Sequence, residues 1–164
     1  MSSFHMARAN VKSAGISVVL TTYNRATLLR NQLTALSNQT LSPKKVDIVI
    51  IDDGSSDSTK SVVEEFISNG LPARYVLQNH AGLSAGRNRG ISLAKYRVVA
   101  FTDDDCLADP QWLEELLTTF NRERPVGIEG KIRTDSNAPL FSNAPENLHG
   151  GKYIGCNIAY DKKI

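Results

Sequence analysis

Three consecutive aspartates, Asp103 to Asp105, follow the apolar run Val98 to Phe101 and are the strongest chemical signal in the sequence. Adjacent carboxylates repel one another, so they cost stability at a strand end unless a cation offsets the repulsion. Mg²⁺ and Mn²⁺ take oxygen ligands, commonly one or two carboxylates together with substrate phosphates. If the strand persists, Asp103 and Asp105 face the same ion, because residues i and i+2 share a face. The alternative is a turn and a helix start that favour acidic residues.

Two weaker clusters follow other apolar runs. The run Asp52-Asp53-Gly54-Ser55 offers a carboxylate that could accept hydrogen bonds from a base or ribose, although a strand end with a helix cap has the same composition. Gly82, Gly86, Arg87 and Arg89 could bring backbone and guanidinium groups to a pyrophosphate, or they could be solvated helix residues. The sequence contains neither a P-loop nor a G-x-G-x-x-G stretch after its first strand, so the kinase and dinucleotide-binding signatures are missing.

The elements that must position these clusters alternate along the chain. Short β-branched runs are separated by segments of helical period, such as the one carrying Leu29, Leu33 and Leu36. This pattern predicts an α/β fold with a mostly parallel sheet and helices on both faces. Ligands bind such sheets at the carboxyl ends of the strands, where all the clusters lie. The predicted strands are Ile16 to Leu20, Val46 to Ile51, Arg74 to Leu77, Val98 to Phe101 and Val126 to Ile132.

Length and composition limit the classes of protein that remain. The chain has 164 residues and a net charge of +2, which predicts one domain and gives no indication of nucleic-acid binding. No apolar run reaches the roughly 18 residues of a membrane span, and no secretory signal opens the chain. Two distant cysteines predict reduced thiols in a cytoplasmic protein, and the three histidines are too scattered to predict a ligand set. We expect a mobile leader over 1–15, the α/β domain over 16–133, and over 134–164 a loop followed by the start of a truncated region.

Five stretches in register resemble the nucleotide-binding half of a family 2 glycosyltransferase, an inverting enzyme of the GT-A fold. They are SVVLTTYNRATLLRNQLTALSNQT, VDIVIIDDGSSDST, NHAGLSAGRNRGI, VVAFTDDDCLADPQWLEELL and GCNIAYDKK. The resemblance covers roughly residues 15 to 133 and a short stretch after the predicted loop. It implies that a nucleoside-diphosphate sugar, most simply a UDP-sugar, is the donor and that a saccharide, lipid or other hydroxyl compound is the acceptor.

The resemblance also implies a role for each matching residue. Asp103 and Asp105 would be the D-x-D pair that holds Mn²⁺ or Mg²⁺, which bridges both phosphates of the donor. The other matching residues would bind the nucleotide sugar: Thr21, Tyr23 and Asn24 at base and ribose, Asp53 at the base, Arg87 near base or phosphate, and Asp104 at ribose or sugar.

The resemblance assigns no catalytic base within the chain. In the family that carboxylate lies C-terminal to the segment resembling GCNIAYDKK, so we expect it beyond Ile164 and consider Glu129 and Asp161 poor candidates. Two further readings stay open: a sugar-nucleotide pyrophosphorylase-like enzyme, and a catalytically silent nucleotide-sugar-binding module. A receiver-like signalling module is disfavoured because its acidic pair would follow the first strand. We expect a cytoplasmic protein, peripheral to the membrane at most in a longer form, since this segment encodes no membrane association.

Overall fold

A computed structural model describes residues 13–133, 146–152 and 154–163. Most of the predicted leader and the first part of the predicted loop, residues 1–12 and 134–145, lie outside the described residues, as do 153 and 164. In the described parts of the chain, no helix is long and apolar enough to cross a membrane.

The described chain contains six strands and four α-helices. In chain order they are β1 (Ile16–Thr22), α1 (Ala26–Ser37), β2 (Val46–Asp52), α2 (Thr59–Ser68), β3 (Ala73–Leu77), α3 (Leu83–Leu93), β4 (Val98–Asp103), α4 (Trp112–Glu123), β5 (Gly127–Glu129) and β6 (Ile158–Asp161). A short 3₁₀ turn, Pro43–Lys45, leads into β2. The predicted α/β fold is therefore confirmed.

All six strands form one sheet in the order β3-β2-β1-β4-β6-β5. The first four pair in parallel, whereas β6 runs antiparallel to both of its neighbours. Strands β1 and β2 are buried along their whole length, as β-branched runs covered on both faces should be. The strand order reverses between β1 and β4, so the carboxyl ends of these two strands flank the crevice in which such sheets bind ligands.

Helices cover both faces of the sheet, as the sequence predicts. The larger core joins α1, α2 and α4 to one face, where Leu29, Val63 and Leu113 are fully buried. On the other face α3 packs beside a smaller cluster that includes Val19 and Phe101. Most of the apolar burial that stabilises the sheet therefore lies on the α1 side, and only α3 covers the other face among these helices.

Helix α3 lies close to β1 because two glycines face the strand. A Cβ on Gly86 would lie 2.5 Å from Thr21 Cγ2, and one on Gly90 would collide with Val19. Any larger residue at these positions would push the helix away from the sheet. The two glycines of α3 are thus a packing requirement.

The structure differs from the sequence prediction near β4 and at the end of the chain. Strand β4 continues to Asp103, and a turn follows at once, so the extended geometry assumed for Asp103 and Asp105 stops at the first of them. Helix α4 begins two residues later than the Asp109-Pro110 signal suggested. Strand β6 pairs between β4 and β5, so the sheet extends beyond the boundary expected at residue 133.

Candidate functional site

A cavity of about 290 Å³ opens at the carboxyl edge of the sheet, where β1, β2 and β4 end. Its wall is formed by residues at or just after the ends of these strands and by residues of the loop before α3. The lining residues are Thr21, Thr22, Tyr23, Arg25, Asp53, His80, Gly82, Leu83, Asp103, Asp104 and Asp105. Four carboxylates face one arginine and one histidine in this list, so the cavity is acidic.

Asp53 follows the last residue of β2 and holds the loop that leads into α3. One carboxylate oxygen, Oδ1, accepts hydrogen bonds from Gln78 Nε2 at 2.6 Å and from the Ala81 amide at 2.9 Å. The other, Oδ2, accepts one from the Gly82 amide at 2.8 Å and lies 2.9 Å from His80 Nδ1. Burial opposes ionisation of this carboxyl, but the hydrogen bonds outweigh it and hold the Asp53 pKa below its ordinary value.

Tyr23 and His80 form an aromatic pair beside Asp53. Their ring centroids lie 4.3 Å apart with the planes inclined by 31°. Both residues are partly exposed at the cavity wall, which leaves ring surface available to a planar ligand. His80 Nδ1 also lies 3.1 Å from the Asp53 carbonyl oxygen, so two contacts with Asp53 orient the imidazole.

The other end of the cavity is formed by the turn after β4. Asp104 is buried, and it accepts a hydrogen bond from Thr22 Oγ1 at 2.8 Å. Arg25 Nη1 lies 3.1 Å from both Asp104 Oδ1 and Asp105 Oδ2, so one guanidinium neutralises part of the acidic turn. Burial raises the pKa of Asp104 above its ordinary value, although the bonds from Thr22 and Arg25 act in the opposite direction.

Asp103 points toward a second arginine. Arg87 Nη2, from α3, donates to Asp103 Oδ1 at 2.8 Å and to the Gly155 carbonyl at 3.3 Å. The guanidinium packs closely on Gly155, since a Cβ there would lie 2.7 Å from Arg87 Nη1. The arginine therefore links the end of β4 to the segment that enters β6.

Asn24 connects the loop after β1 to the loop after β2, and it is not among the residues that line the cavity. Its backbone has φ of +53°, a left-handed conformation that Asn tolerates better than most residues. The Asn24 amide donates to Ser55 Oγ at 2.8 Å, and its side-chain oxygen accepts from the Ser56 amide at 2.7 Å. Asp57 adds to this connection, since its carboxylate accepts from the first amides of both α1 (Ala26) and α2 (Thr59), each at 3.0 Å.

The residues at the acidic end fit a hard divalent cation. In the described stretches, no set of three or more acidic, histidine or cysteine side chains could hold a metal by itself. Mg²⁺ and Mn²⁺ need no such cage, because one or two carboxylates suffice when phosphates and water complete the coordination. Asp103 and Asp105 offer carboxylates at the cavity wall, and each is now paired with an arginine.

Six of the eight residues expected from the sequence line this one cavity: Thr21, Tyr23, Asp53, Asp103, Asp104 and Asp105. Of the other two, Arg87 binds the lining residue Asp103, and Asn24 lies in the chain between the lining residues Tyr23 and Arg25. The sequence analysis missed Arg25 and His80. Arg25 directly follows Asn24 in the first cluster, and His80 lies in the run that follows β3. Each lies shortly after the carboxyl end of a strand, and this position could have identified both residues.

Comparison with known proteins identifies the chain. The family described as glycosyl transferase family 2 matches residues 17–161. The chain belongs to this family. It is 36% identical over 115 residues to a validoxylamine A glucosyltransferase of Streptomyces hygroscopicus subsp. limoneus, covering 69% of this chain and 25% of that protein. It is also 36% identical over 154 residues to a chondroitin synthase of Escherichia coli, covering 86% of this chain and 22% of that enzyme.

Solved structures share the fold of this glycosyltransferase domain. S. aureus TarS 1-349 in complex with UDP-GlcNAc superimposes with a TM-score of 0.79 at 20% identity, over 90% of this chain and 45% of that one. The mannosyltransferase PcManGT from Pyrobaculum calidifontis, in complex with GDP-Man and Mn²⁺, gives 0.73 at 18% identity, over 93% and 46%. The predicted family and its GT-A fold are thus confirmed. The chain spans less than half the length of each of these proteins.

Proposed function

We propose that this glycosyltransferase domain binds a UDP-sugar in the cavity and transfers the sugar, with inversion, to an acceptor hydroxyl. The observation that carries the proposal is the division of one cavity into an aromatic end beside Asp53 and an acidic end formed by Asp103 to Asp105. A nucleoside diphosphate sugar has the matching order, with a planar base at one end and charged phosphates at the other. TarS, which shares this fold, is described in complex with UDP-GlcNAc and UDP, which favours uridine as the base.

In this proposal Tyr23 and His80 present ring surface to the base. Asp53 selects the base by accepting a hydrogen bond from it, and a buried acceptor discriminates strongly against ligands that lack the donor. His80 holds one Asp53 oxygen in the described arrangement, so the base replaces or shares that contact. Thr21 and Asn24 lie at the end of β1 and would shape the ribose end of the site. The buried Thr21 hydroxyl has no hydrogen-bond partner among the described residues, so it would be available to the ribose.

At the acidic end Asp103 and Asp105 would hold Mn²⁺ or Mg²⁺. The bound cation would neutralise the charge of the departing diphosphate. Arg25 and Arg87 occupy these carboxylates in the described structure, so donor binding frees the carboxylates and makes both guanidiniums available to phosphate oxygens. Asp104, held by Thr22 and Arg25, would accept a hydrogen bond from ribose or sugar.

The carboxylate that deprotonates the acceptor is proposed to lie outside the described residues. Asp161 pairs with Val98, at the opposite end of β4 from the cavity, and forms a two-oxygen ion pair with Arg97. Glu129 accepts hydrogen bonds at 2.6 Å from Asn147 Nδ2 and from the Gly151 amide. These contacts give both carboxylates a structural role.

The identity of the acceptor and the cytoplasmic location stay predictions.

Calorimetric titration of UDP, GDP, CDP and dTDP, each with Mn²⁺ and with chelator, tests donor binding. The proposal expects UDP to bind most tightly and to lose affinity in chelator. Equal weak binding of all four with and without metal would contradict it. Turnover of radiolabelled UDP-sugars, with the anomeric configuration of the product read by NMR, then separates the alternatives. Binding without turnover indicates a silent module, and release of sugar 1-phosphate from a UDP-sugar and pyrophosphate indicates a pyrophosphorylase.

A further inference from the structure

The amino edge of the sheet, at which β1 to β4 begin, lies opposite the cavity and is rich in basic side chains. Among the described residues, six exposed cationic side chains at or beside this edge form no ion pair with a carboxylate. We name them the basic face: Lys44, Lys45, Lys95, Arg124, Lys162 and Lys163. They come from four separate segments, so the sequence contains no block of basic residues that would have revealed the face.

Contacts between these segments bring the six cations to one edge. The Tyr96 hydroxyl donates to the Lys44 carbonyl at 3.0 Å, which joins the turn before β4 to the turn before β2. The Lys162 amide donates to the Arg97 carbonyl at 2.8 Å, which adds the end of β6. Strand β6 also pairs with β5, which Arg124 precedes. Since β2 and β6 are three positions apart in the sheet, the face is about 15 Å wide.

The charge of this edge is not balanced within the described chain. Three carboxylates lie on its segments, and each pairs with an arginine outside the basic face: Asp47 with Arg74, Asp161 with Arg97, and Glu123 with Arg122. The opposite edge has the reverse character, because its cavity is lined by four carboxylates. The domain is therefore polarised, basic where the parallel strands begin and acidic where they end.

Stabilisation of helix ends explains only part of the basic face. The C-terminal carbonyls of a helix attract cations, and Lys162 Nζ donates to the Ala94 carbonyl at the end of α3 at 3.0 Å. Lys95 Nζ lies 4.9 Å from the centroid of the Tyr96 ring. Within the part of the chain that the structure describes, no side-chain hydrogen bond engages the other four cations. These four are available to an external anion.

The side chains beside the cations indicate the kind of anion. Leu93, the last residue of α3, and Val126, just before β5, are exposed aliphatic residues at the same edge. Cationic and aliphatic side chains together suit the headgroup region of an anionic bilayer. Single-stranded nucleic acids are bound instead on exposed aromatic rings. Tyr96 does not offer such a platform, because it is half-buried and its hydroxyl is bound to Lys44.

We propose that the basic face docks this domain on the surface of an anionic lipid bilayer. Each Lys or Arg close to such a surface strengthens binding about fivefold, so several together give reversible attachment. The cavity would then face the water, roughly 20 Å from the lipid along β1, where a soluble nucleotide sugar can enter. The proposal replaces the sequence-based expectation that this segment encodes no membrane association.

Sedimentation of the native chain with phosphatidylcholine vesicles, with and without phosphatidylglycerol, tests the proposal. The wild type should bind only the vesicles that contain phosphatidylglycerol, and high salt should release it. Lys44→Gln/Lys45→Gln should weaken this binding about tenfold or more. Lys60→Gln/Lys131→Gln is the matched control, because it removes the same net charge from exposed positions outside the basic face, and it should weaken binding less than about twofold.

Three results would overturn the proposal. One is equal binding to both kinds of vesicle, or binding that persists in high salt. Another is an equal loss in the two double variants, which would mean that net charge acts without a defined face. The third is displacement of the chain from the vesicles by duplex DNA at equal phosphate concentration, which would assign the face to nucleic acid. The assay contains no nucleotide sugar, so failure of UDP to bind would leave its outcome unchanged.

Discussion

Replacing Asp53 by Asn removes half of the four contacts through which the Asp53 carboxylate holds the loop between β3 and α3. The carboxylate accepts from Gln78 and Ala81 on one oxygen and contacts Gly82 and His80 with the other. An asparagine has one carbonyl oxygen and one NH₂ group, so in either orientation the NH₂ group faces donors. Two contacts are lost, and the remaining two no longer benefit from a negative charge.

The expected cost follows from these contacts. Hydrogen bonds to charged groups contribute about 1.5–3 kcal/mol each, and neutral ones about 0.5–1.5 kcal/mol. Water can reach the half-buried Gly82 amide, which lowers the penalty of leaving it unpaired. We therefore expect Asp53→Asn to lower the free energy of unfolding by about 2–4 kcal/mol. Urea denaturation at pH 7 measures it. Asp109→Asn is the control, because the exposed Asp109 side chain accepts a backbone bond from Gln111, and it should cost below about 1 kcal/mol.

The pH dependence gives an independent check on Asp53. Its pKa is lowered in the folded state, so the stability it contributes is present above the ordinary aspartate pKa and is lost as pH falls through the folded value. The difference in stability between wild type and Asp53→Asn should therefore shrink as pH falls from about 5 toward 3. A difference below about 0.5 kcal/mol at pH 7, or one that stays constant down to pH 3, would refute the reasoning.

Three further predictions concern the cavity and the helix packed beside it. Asp105→Asn should weaken UDP binding roughly tenfold or more in Mn²⁺ and little in chelator, by calorimetry; equal losses in both would remove the metal assignment. Arg25→Gln should raise the affinity of the nucleotide-free chain for Mn²⁺ about two- to fivefold, by electron paramagnetic resonance, because it frees Asp105, whereas Arg30→Gln in helix α1 should not. Gly86→Ala should cost about 1–3 kcal/mol of unfolding free energy, since its methyl group meets Thr21; an unchanged urea midpoint would contradict the close packing of α3.

The framework of the sheet was predictable from the sequence because its information is local. Strands β1, β2 and β4 are each built on a short apolar run, and polar residues follow each run at the end of the strand. Parallel pairing brings their carboxyl ends to one edge, so Thr21, Asp53 and Asp103 meet although they are distant in the chain. Alternation of elements was enough to predict the fold class, and the chemistry of strand ends indicated Asp53 and Asp103 to Asp105. Thr21 and Tyr23 entered the prediction through the family resemblance.

Other features depend on pairing between distant segments, which no short window of sequence encodes. The insertion of β6 between β4 and β5 requires residues 158–161 to prefer that edge over solvent. The same pairing places Gly155 next to Arg87. These contacts arise from register, and register is settled only when the whole buried face is assembled.

The sequence by itself determined which residues carry charge, which runs must be buried and where each strand must stop. Only the tertiary structure decided that Arg25 neutralises Asp104 and Asp105, that His80 supports Asp53, and that Arg87 joins Asp103 to the chain entering β6. The physical reason is that burial and backbone preference act on neighbouring residues, whereas ion pairs and ring contacts depend on distances that exist only after strand order and helix packing have been fixed.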